Sequence, residues 1–305
     1  DCSCSGSNIL WVGCTDTYSA GNNDSSTHMG PRSEILPALG QWARCNSFFD
    51  SDCNEDQDGF SSDGFINRMQ VLEADVNPTD NPNARYFMEA WYVVRDDINI
   101  FNSMGYREVQ PLWNGATWTF PVQDDYIQGP VKDIWVDGSS PPPNADSELL
   151  DTGEGLIRLD MKATELAPGQ WKYNYLVTNY EFMRFETAGA EPNLELLSAI
   201  GFDEFLVPIG SEVSISNVEF ARADRTAGID WDDSTDSNSV HWSDAGDTPL
   251  NWGSSYRFSF VADALPSEGA VEIVPGAGNP APFQIDTLIP GVPESIFTDG
   301  FEQAF

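Results

Sequence analysis

Histidine is nearly missing from this chain. His28 and His241 are its two, so neither a three-histidine zinc centre nor an HExxH helix can be assembled. A Ser-His-Asp triad has no G-x-S-x-G elbow beside either ring. Basic side chains are scarce as well: 14 Lys and Arg stand against 49 Asp and Glu, a formal charge of −35. A phosphate backbone requires basic surface, which excludes nucleic acid as a partner. No apolar run approaches the length of a transmembrane helix. Cysteine is absent after Cys53.

What is present clusters early. Cys2, Cys4, Cys14, Cys45 and Cys53 all fall in the first 53 of 305 residues. Such packing reads as a local disulfide framework, and disulfides persist in oxidising compartments. The expected location is therefore extracellular or at the cell surface. Cys45 and Cys53 flank Phe48 and Phe49 in a natural small loop, and Cys14 then pairs with Cys4 or Cys2. One thiol is left over, which points to an intermolecular bond or to a partner in a removed segment. The opening at Asp1 rather than Met gives the same expectation of an upstream leader. The acidity keeps the chain soluble but makes its compact state repel itself, so salt, bound cations or partners must offset it. A solvated acidic surface and dedicated cation sites explain it equally well. Disorder is not the reading, because 10 Trp, 18 Phe and 9 Tyr are too many for a solvated chain.

Three regions are expected: a Cys-rich acidic arm over 1–65, a β-sandwich over 66–275 and an extended tail over 276–305. The arm is rich in Gly, Ser, Asn and Asp. Short apolar runs follow, at 68–74, 85–94, 155–163, 170–178, 212–221, 256–261 and 270–274, separated by turn clusters such as 77–82 and 139–143. Trp171, Tyr173, Tyr175 and Val177 recur every second position, as a half-buried strand requires. Val213, Ile215 and Asn217 do the same, with Phe220 resuming after a skipped beat. Many short strands with Pro and Gly turns define a mainly β chain, a sandwich or jelly roll. The segment 191–201, with Pro192 early, Leu194, Leu196 and Leu197 inside and Gly201 at its end, predicts a short inserted helix.

Several stretches resemble a known family. Gly13-Cys14-Thr15-Asp16-Thr17-Tyr18-Ser19-Ala20-Gly21, Met29-Gly30-Pro31-Arg32-Ser33-Glu34-Ile35, Glu73-Ala74-Asp75-Val76-Asn77-Pro78 and Asn251-Trp252-Gly253-Ser254-Ser255-Tyr256-Arg257-Phe258-Ser259-Phe260-Val261-Ala262-Asp263 occur in the order of an uncharacterised family of secreted bacterial β-rich proteins. The resemblance spans roughly 2–266, with 186–205 and 50–63 as departures. The ending 296–302 resembles a C-terminal signature of secreted gammaproteobacterial proteins. The resemblance implies export and a β-rich fold, and no activity.

The sharpest chemical signal is the loop 50–64. Oxygen-bearing Asn54, Asp56 and Asp58 alternate ahead of Gly59, like the front half of an EF-hand loop. Phe65 stands where the closing Glu belongs, and Asp63 could substitute for it. With Asp52, these residues form a candidate calcium site; an ion-free acidic loop is the plain alternative. Asp230, Asp232 and Ser234 form a weaker set with no turn Gly, better read as a solvated loop. His241, beside Val240 and Trp242, reads as a packed strand residue. Forty-nine carboxylates leave a glycosidase pair untestable from sequence. Tryptophans near acidic loops could stack sugars, although core filling accounts for most of the ten.

The preferred functional expectation is a non-enzymatic, cation-stabilised structural protein, a subunit of an extracellular filament or surface assembly that forms a homo-polymer. Phe283, Ile285 and Ile289 alternate in a segment able to add as an edge strand to a neighbour, and Ile296, Phe297 and Phe301 supply exposed apolar groups beyond it. On that reading, deleting 276–305 leaves a folded monomer. Packing of the tail on its own domain is the rival. A monomeric calcium-dependent carbohydrate- or surface-binding module is the second functional reading, and a secreted hydrolase the third.

Overall fold

A computed structural model describes residues 32–47, 50–55, 58, 71–222, 230–246, 248–276 and 281–291. The chain divides into two compact units, one of 1–35, 43–70 and 188–196, the other of 36–42, 71–187 and 197–305. The expected mainly β class is what the structure shows.

In chain order, the early elements are β1 (Ile35–Leu36), β2 (Gln41–Trp42), the single-turn helix α1 (Glu73–Val76), β3 (Tyr86–Trp91), β4 (Met104–Val109), β5 (Leu112–Trp113), β6 (Trp118–Thr119) and β7 (Ile127–Gln128). β3, β4 and β7 form a three-stranded sheet. Then come β8 (Ala145–Asp151), β9 (Leu156–Ala167), β10 (Gln170–Asn179), β11 (Arg184–Ala188), β12 (Glu195–Ile200), β13 (Phe202–Pro208) and β14 (Ile215–Arg222). The series closes with β15 (Asp232–Thr235), β16 (Ser239–Ser243), β17 (Ser254–Ala262), β18 (Pro266–Pro275) and β19 (Phe283–Pro290).

Two five-stranded antiparallel sheets make the sandwich. Sheet A runs β14-β17-β10-β9-β8 and sheet B runs β15-β16-β13-β18-β19. Their facing sides follow the period of two. Trp171, Tyr173, Tyr175 and Val177 on β10 all point inward, as do Ile157, Leu159 and Met161 on β9 and Phe258 and Phe260 on β17. Sheet B answers with Phe205, Val207, Val240, Trp242, Val271 and Ile273. Aromatic rings join the layers: Phe205 lies 4.5 Å from Phe258 and 5.7 Å from Tyr175 between centroids, close enough for stacking to add to the area buried. The hydroxyls at the inner ends of Tyr173 and Tyr175 are satisfied by the carbonyls of Ala264 and Leu288, at 2.8 and 2.9 Å. Buried phenols without such partners would be costly.

The skipped beat before Phe220 is a β-bulge. The β14–β17 register shifts between Ser216 and Glu219, and Asn217 takes a left-handed φ of 49°, a conformation Asn tolerates better than most residues. The bulge restores Phe220 to the inner side, where it stacks on Trp231 at 5.8 Å.

Three expectations are corrected. The helix predicted over 191–201 is instead the strand β12, paired with β11: Leu and Ala are good helix formers, but intrinsic propensity is worth only tenths of a kcal/mol per residue, and pairing with a partner strand overrides it. The one α-helical turn among the described residues, α1, takes up Glu73 and Ala74 at the end of the run 68–74 that was expected to be extended. The third correction concerns the tail. Its described part, β19, pairs along its whole length with β18 from Phe283↔Ile273 to Pro290↔Pro266. Phe283 contacts Phe182 and Phe202 edge-on at 5.7 and 6.2 Å, Ile285 is buried and Ile289 packs on the same core. These three side chains fill their own sandwich rather than a neighbour's groove, because the inner face of sheet B ends there and an apolar strand completes it. Ile296, Phe297 and Phe301 lie outside the described residues.

Candidate functional site

The N-terminal unit holds the acidic loop. Cys45 and Cys53 are disulfide-bonded as expected, with S–S 2.01 Å and Cα–Cα 4.6 Å. Cys4 and Cys14 lie outside the described residues. The loop between Cys45 and Cys53 turns around a carboxylate not among the candidate ligands. Asp50 is fully buried and accepts the backbone N–H groups of Asn54 at 3.0 Å and Glu55 at 2.9 Å, while the Arg44 guanidinium stands 3.6 Å away. A buried carboxylate needs such donors. The Asn54 amide donates to Asp52 Oδ2 at 3.0 Å. Asp58 accepts from the Ser51 N–H at 2.7 Å and from its hydroxyl, and those bonds hold its carboxyl below the usual range. Asp52, Asn54 and Asp58 thus already carry internal hydrogen bonds, and Asp56 and Asp63 lie outside the described residues. Among the described residues, no group of three acidic, His or Cys side chains is placed to hold a metal.

The weaker acidic set is solvated. Asp232 and Ser234 sit on the exposed edge strand β15. His241 lies on β16 and meets Glu204 at 3.2 Å on the outer side of sheet B, a strand residue as expected. Of the tryptophans, Trp171, Trp231, Trp242 and Trp252 are buried and Trp113 is exposed. Trp42, Trp91, Trp118 and Trp135 are half-buried and Trp11 lies outside the described residues, so among the described tryptophans full burial in the core accounts for fewer than expected.

One half-buried ring borders a cleft. On the outer side of sheet A, Lys162 and Thr164 of β9, Asn174 and Leu176 of β10, Arg257 of β17 and Trp135 surround a space of about 360 Å³. Strand register brings them together: Lys162 pairs with Asn174, and Leu176 pairs with Arg257. All alternate with the inward core residues, so they face out together. Trp135 arrives from the turn that follows the 3₁₀ segment Val131–Ile134, and Lys162 Nζ stands 5.5 Å from its ring centre, within reach of a cation–π attraction.

A buried charge fixes that turn. Arg158, one β9 repeat before Asp160, donates through Nε to Asp160 at 2.8 Å, through Nη1 to Asp133 at 2.6 Å and through Nη2 to the Val136 carbonyl at 2.9 Å. Burial pushes the Asp160 carboxyl up, with Arg158 opposing it. The alternation of Arg158, Asp160, Lys162 and Thr164 against Leu159, Met161 and Ala163, most of it within the run 155–163, is the sequence signal for this face. Trp135 had no such signal.

The cleft offers an aromatic ring, an amide, a hydroxyl and two cations. Its lining contains no carboxylate, His or Cys. No protein-family model, curated protein or solved structure matches this chain.

Proposed function

We propose that this protein is a secreted, non-catalytic binding module that takes a saccharide in the cleft on sheet A. The observation that carries it is the meeting of Trp135 with Asn174 and Thr164 around one concave space. A sugar ring has an apolar face for an indole and a rim of hydroxyls for an amide and an alcohol, and concave sites of this size with few polar groups are where small ligands bind. Without a paired carboxylate in the lining, hydrolysis has no acid and base at the cleft. A glycan-array experiment with the native chain and with Trp135→Ala tests it: retained ligands in the wild type and their loss in the variant, with an unchanged circular dichroism spectrum, is the expected result. Release of reducing sugar from the retained glycan would overturn the non-catalytic part.

The assembly reading keeps one support. β19 has a single hydrogen-bonded strand neighbour, β18, and β8 of sheet A also lies against it, so strand addition would use the backbone groups that β18 leaves unpaired among the described residues. Polymerisation would then rest on those groups and not on the core side chains. Calcium in the loop 50–63 belongs to the same proposal; its support is the density of oxygen ligands around Asp52, Asn54 and Asp58.

A further inference from the structure

We infer that the saccharide taken by the cleft is acidic, carrying a carboxylate or sulfate that Lys162 and Arg257 bind. This rests on the saccharide reading and adds the charge of the ligand. In a chain with 49 acidic and 14 basic side chains, a surface depression is expected to be lined by carboxylates. This one is lined by two cations and none.

The surrounding charges strengthen the contrast. Three cations border the cleft on sheet A: Lys162, Arg257 and Lys172, the last beside Thr164 in the β9–β10 ladder. Among the described residues they have one carboxylate within ion-pair distance, Glu219. That carboxylate is committed first to Lys172 at 3.0 Å, accepts from the Ser259 hydroxyl at 3.1 Å, and stands 3.5 Å from Arg257. Lys162 has the Trp135 ring instead of an acid. The other acids nearby, Asp160 and Asp133, are both bonded to Arg158. The cleft therefore keeps an excess of positive charge with donors free to point at a ligand.

The arrangement suits an acidic sugar more than a free anion. A carboxylate or sulfate on a pyranose ring sits at the rim of an otherwise flat, partly apolar body, so Trp135 can cover the ring while Lys162 and Arg257 reach the charge. Charge-assisted hydrogen bonds of this kind are about twice as strong as neutral ones. The chain's overall negative charge opposes the approach of any polyanion, and moderate salt screens that long-range repulsion while leaving the close contacts less affected.

Binding of the full chain to polygalacturonate and alginate, and to their esterified forms in which the same rings carry no charge, tests the inference by affinity electrophoresis and calorimetry in EDTA. EDTA removes calcium bridges between polymer and loop. The acidic polymers are expected to bind and the esters to bind at least about tenfold more weakly, with Lys162→Gln and Arg257→Gln each weakening the acidic polymer about tenfold. Both positions are partly exposed, so melting curves should match the wild type. Equal binding of acid and ester, insensitive to Lys162→Gln yet lost in Trp135→Ala, would overturn the acidic ligand and leave the saccharide reading in place. Failure to bind any acidic or neutral glycan on the array would overturn both. Self-association abolished by Lys162→Gln, without saccharide binding, would replace the sugar with a second copy of this chain.

Discussion

Arg158 Nη2 donates to the backbone carbonyl of Val136 at 2.9 Å, and this bond ties the outer side of sheet A to the turn that carries Trp135. The same guanidinium holds Asp133 and Asp160. One buried cation therefore both neutralises a fully buried acid and positions the aromatic wall of the cleft.

Replacing Arg158 should expose how much depends on it. Arg158→Ala leaves Asp160 buried without its partner and releases the turn, a loss of about 3 kcal/mol in urea denaturation. Arg158→Ala with Asp160→Leu should recover part of that stability, since no charge is then stranded, but should not restore ligand binding. Equal stability of wild type and Arg158→Ala would remove the pinning role.

The strand β19 gives the clearest departure from what its sequence predicts. Deletion of 281–305 strips Phe283, Ile285 and Ile289 from the core and should yield an insoluble or unfolded chain, whereas a free tail would leave a folded monomer. The point substitution Ile285→Ala, in a buried site, should cost about 2–5 kcal/mol by thermal or chemical melting. A truncated chain with the wild-type melting curve would return the segment to the tail.

Much of the sandwich was legible because a two-sided strand writes its period into the chain. Trp171, Tyr173, Tyr175 and Val177 announce an inner face by themselves, and even the bulge at Asn217 left its trace as a missed beat before Phe220. The segment around Leu196 and Ile200 was misread because short apolar stretches satisfy helix and strand patterns alike, and the pairing with β11 that decides between them is not local. The cleft was illegible for a related reason. Lys162, Asn174 and Arg257 are unremarkable singly, and they meet only when three strands align in register beneath Trp135. Asp50 was overlooked among so many acids because its distinction is burial, which an acidic loop gives no means to read.

The disulfide can be checked chemically. Cys45 should resist alkylation in the native chain and appear joined to Cys53 in an unreduced peptide map. Cys45→Ser with Cys53→Ser should lower the stability of the N-terminal unit by about 2–3 kcal/mol on the chain-entropy model for so short a loop. Ready alkylation of Cys45 before reduction would refute the pairing.

Calcium makes a separate prediction for the same unit. If the loop binds the ion, adding calcium should raise its melting temperature by mass action, and Asp52→Ala or Asp58→Ala should reduce that shift. Asp50→Asn should instead destabilise the loop with and without calcium, because its two backbone donors and Arg44 face a carboxylate. A melting curve identical in calcium and in EDTA would leave Asp50 as the organiser of the loop and remove the ion.

Glu181 predicts how stability depends on pH. Its carboxyl is pushed up to about 7, first by burial and then by Asp97 and Asp151, against an ordinary value of about 4.3 in the unfolded chain. Between those two values the folded state binds more protons at this site than the unfolded state does. The contribution is therefore full below the unfolded value, and it declines as pH rises toward 7. Glu181→Gln keeps the shape and removes the titration, so its stability measured from pH 4.5 to 7.5 should fall less steeply than that of the wild type. Asp97→Asn should flatten the wild-type slope partway, since it removes one of the two acids that repel the ionised form. A slope unchanged by Glu181→Gln would show that this carboxyl titrates alike in both states.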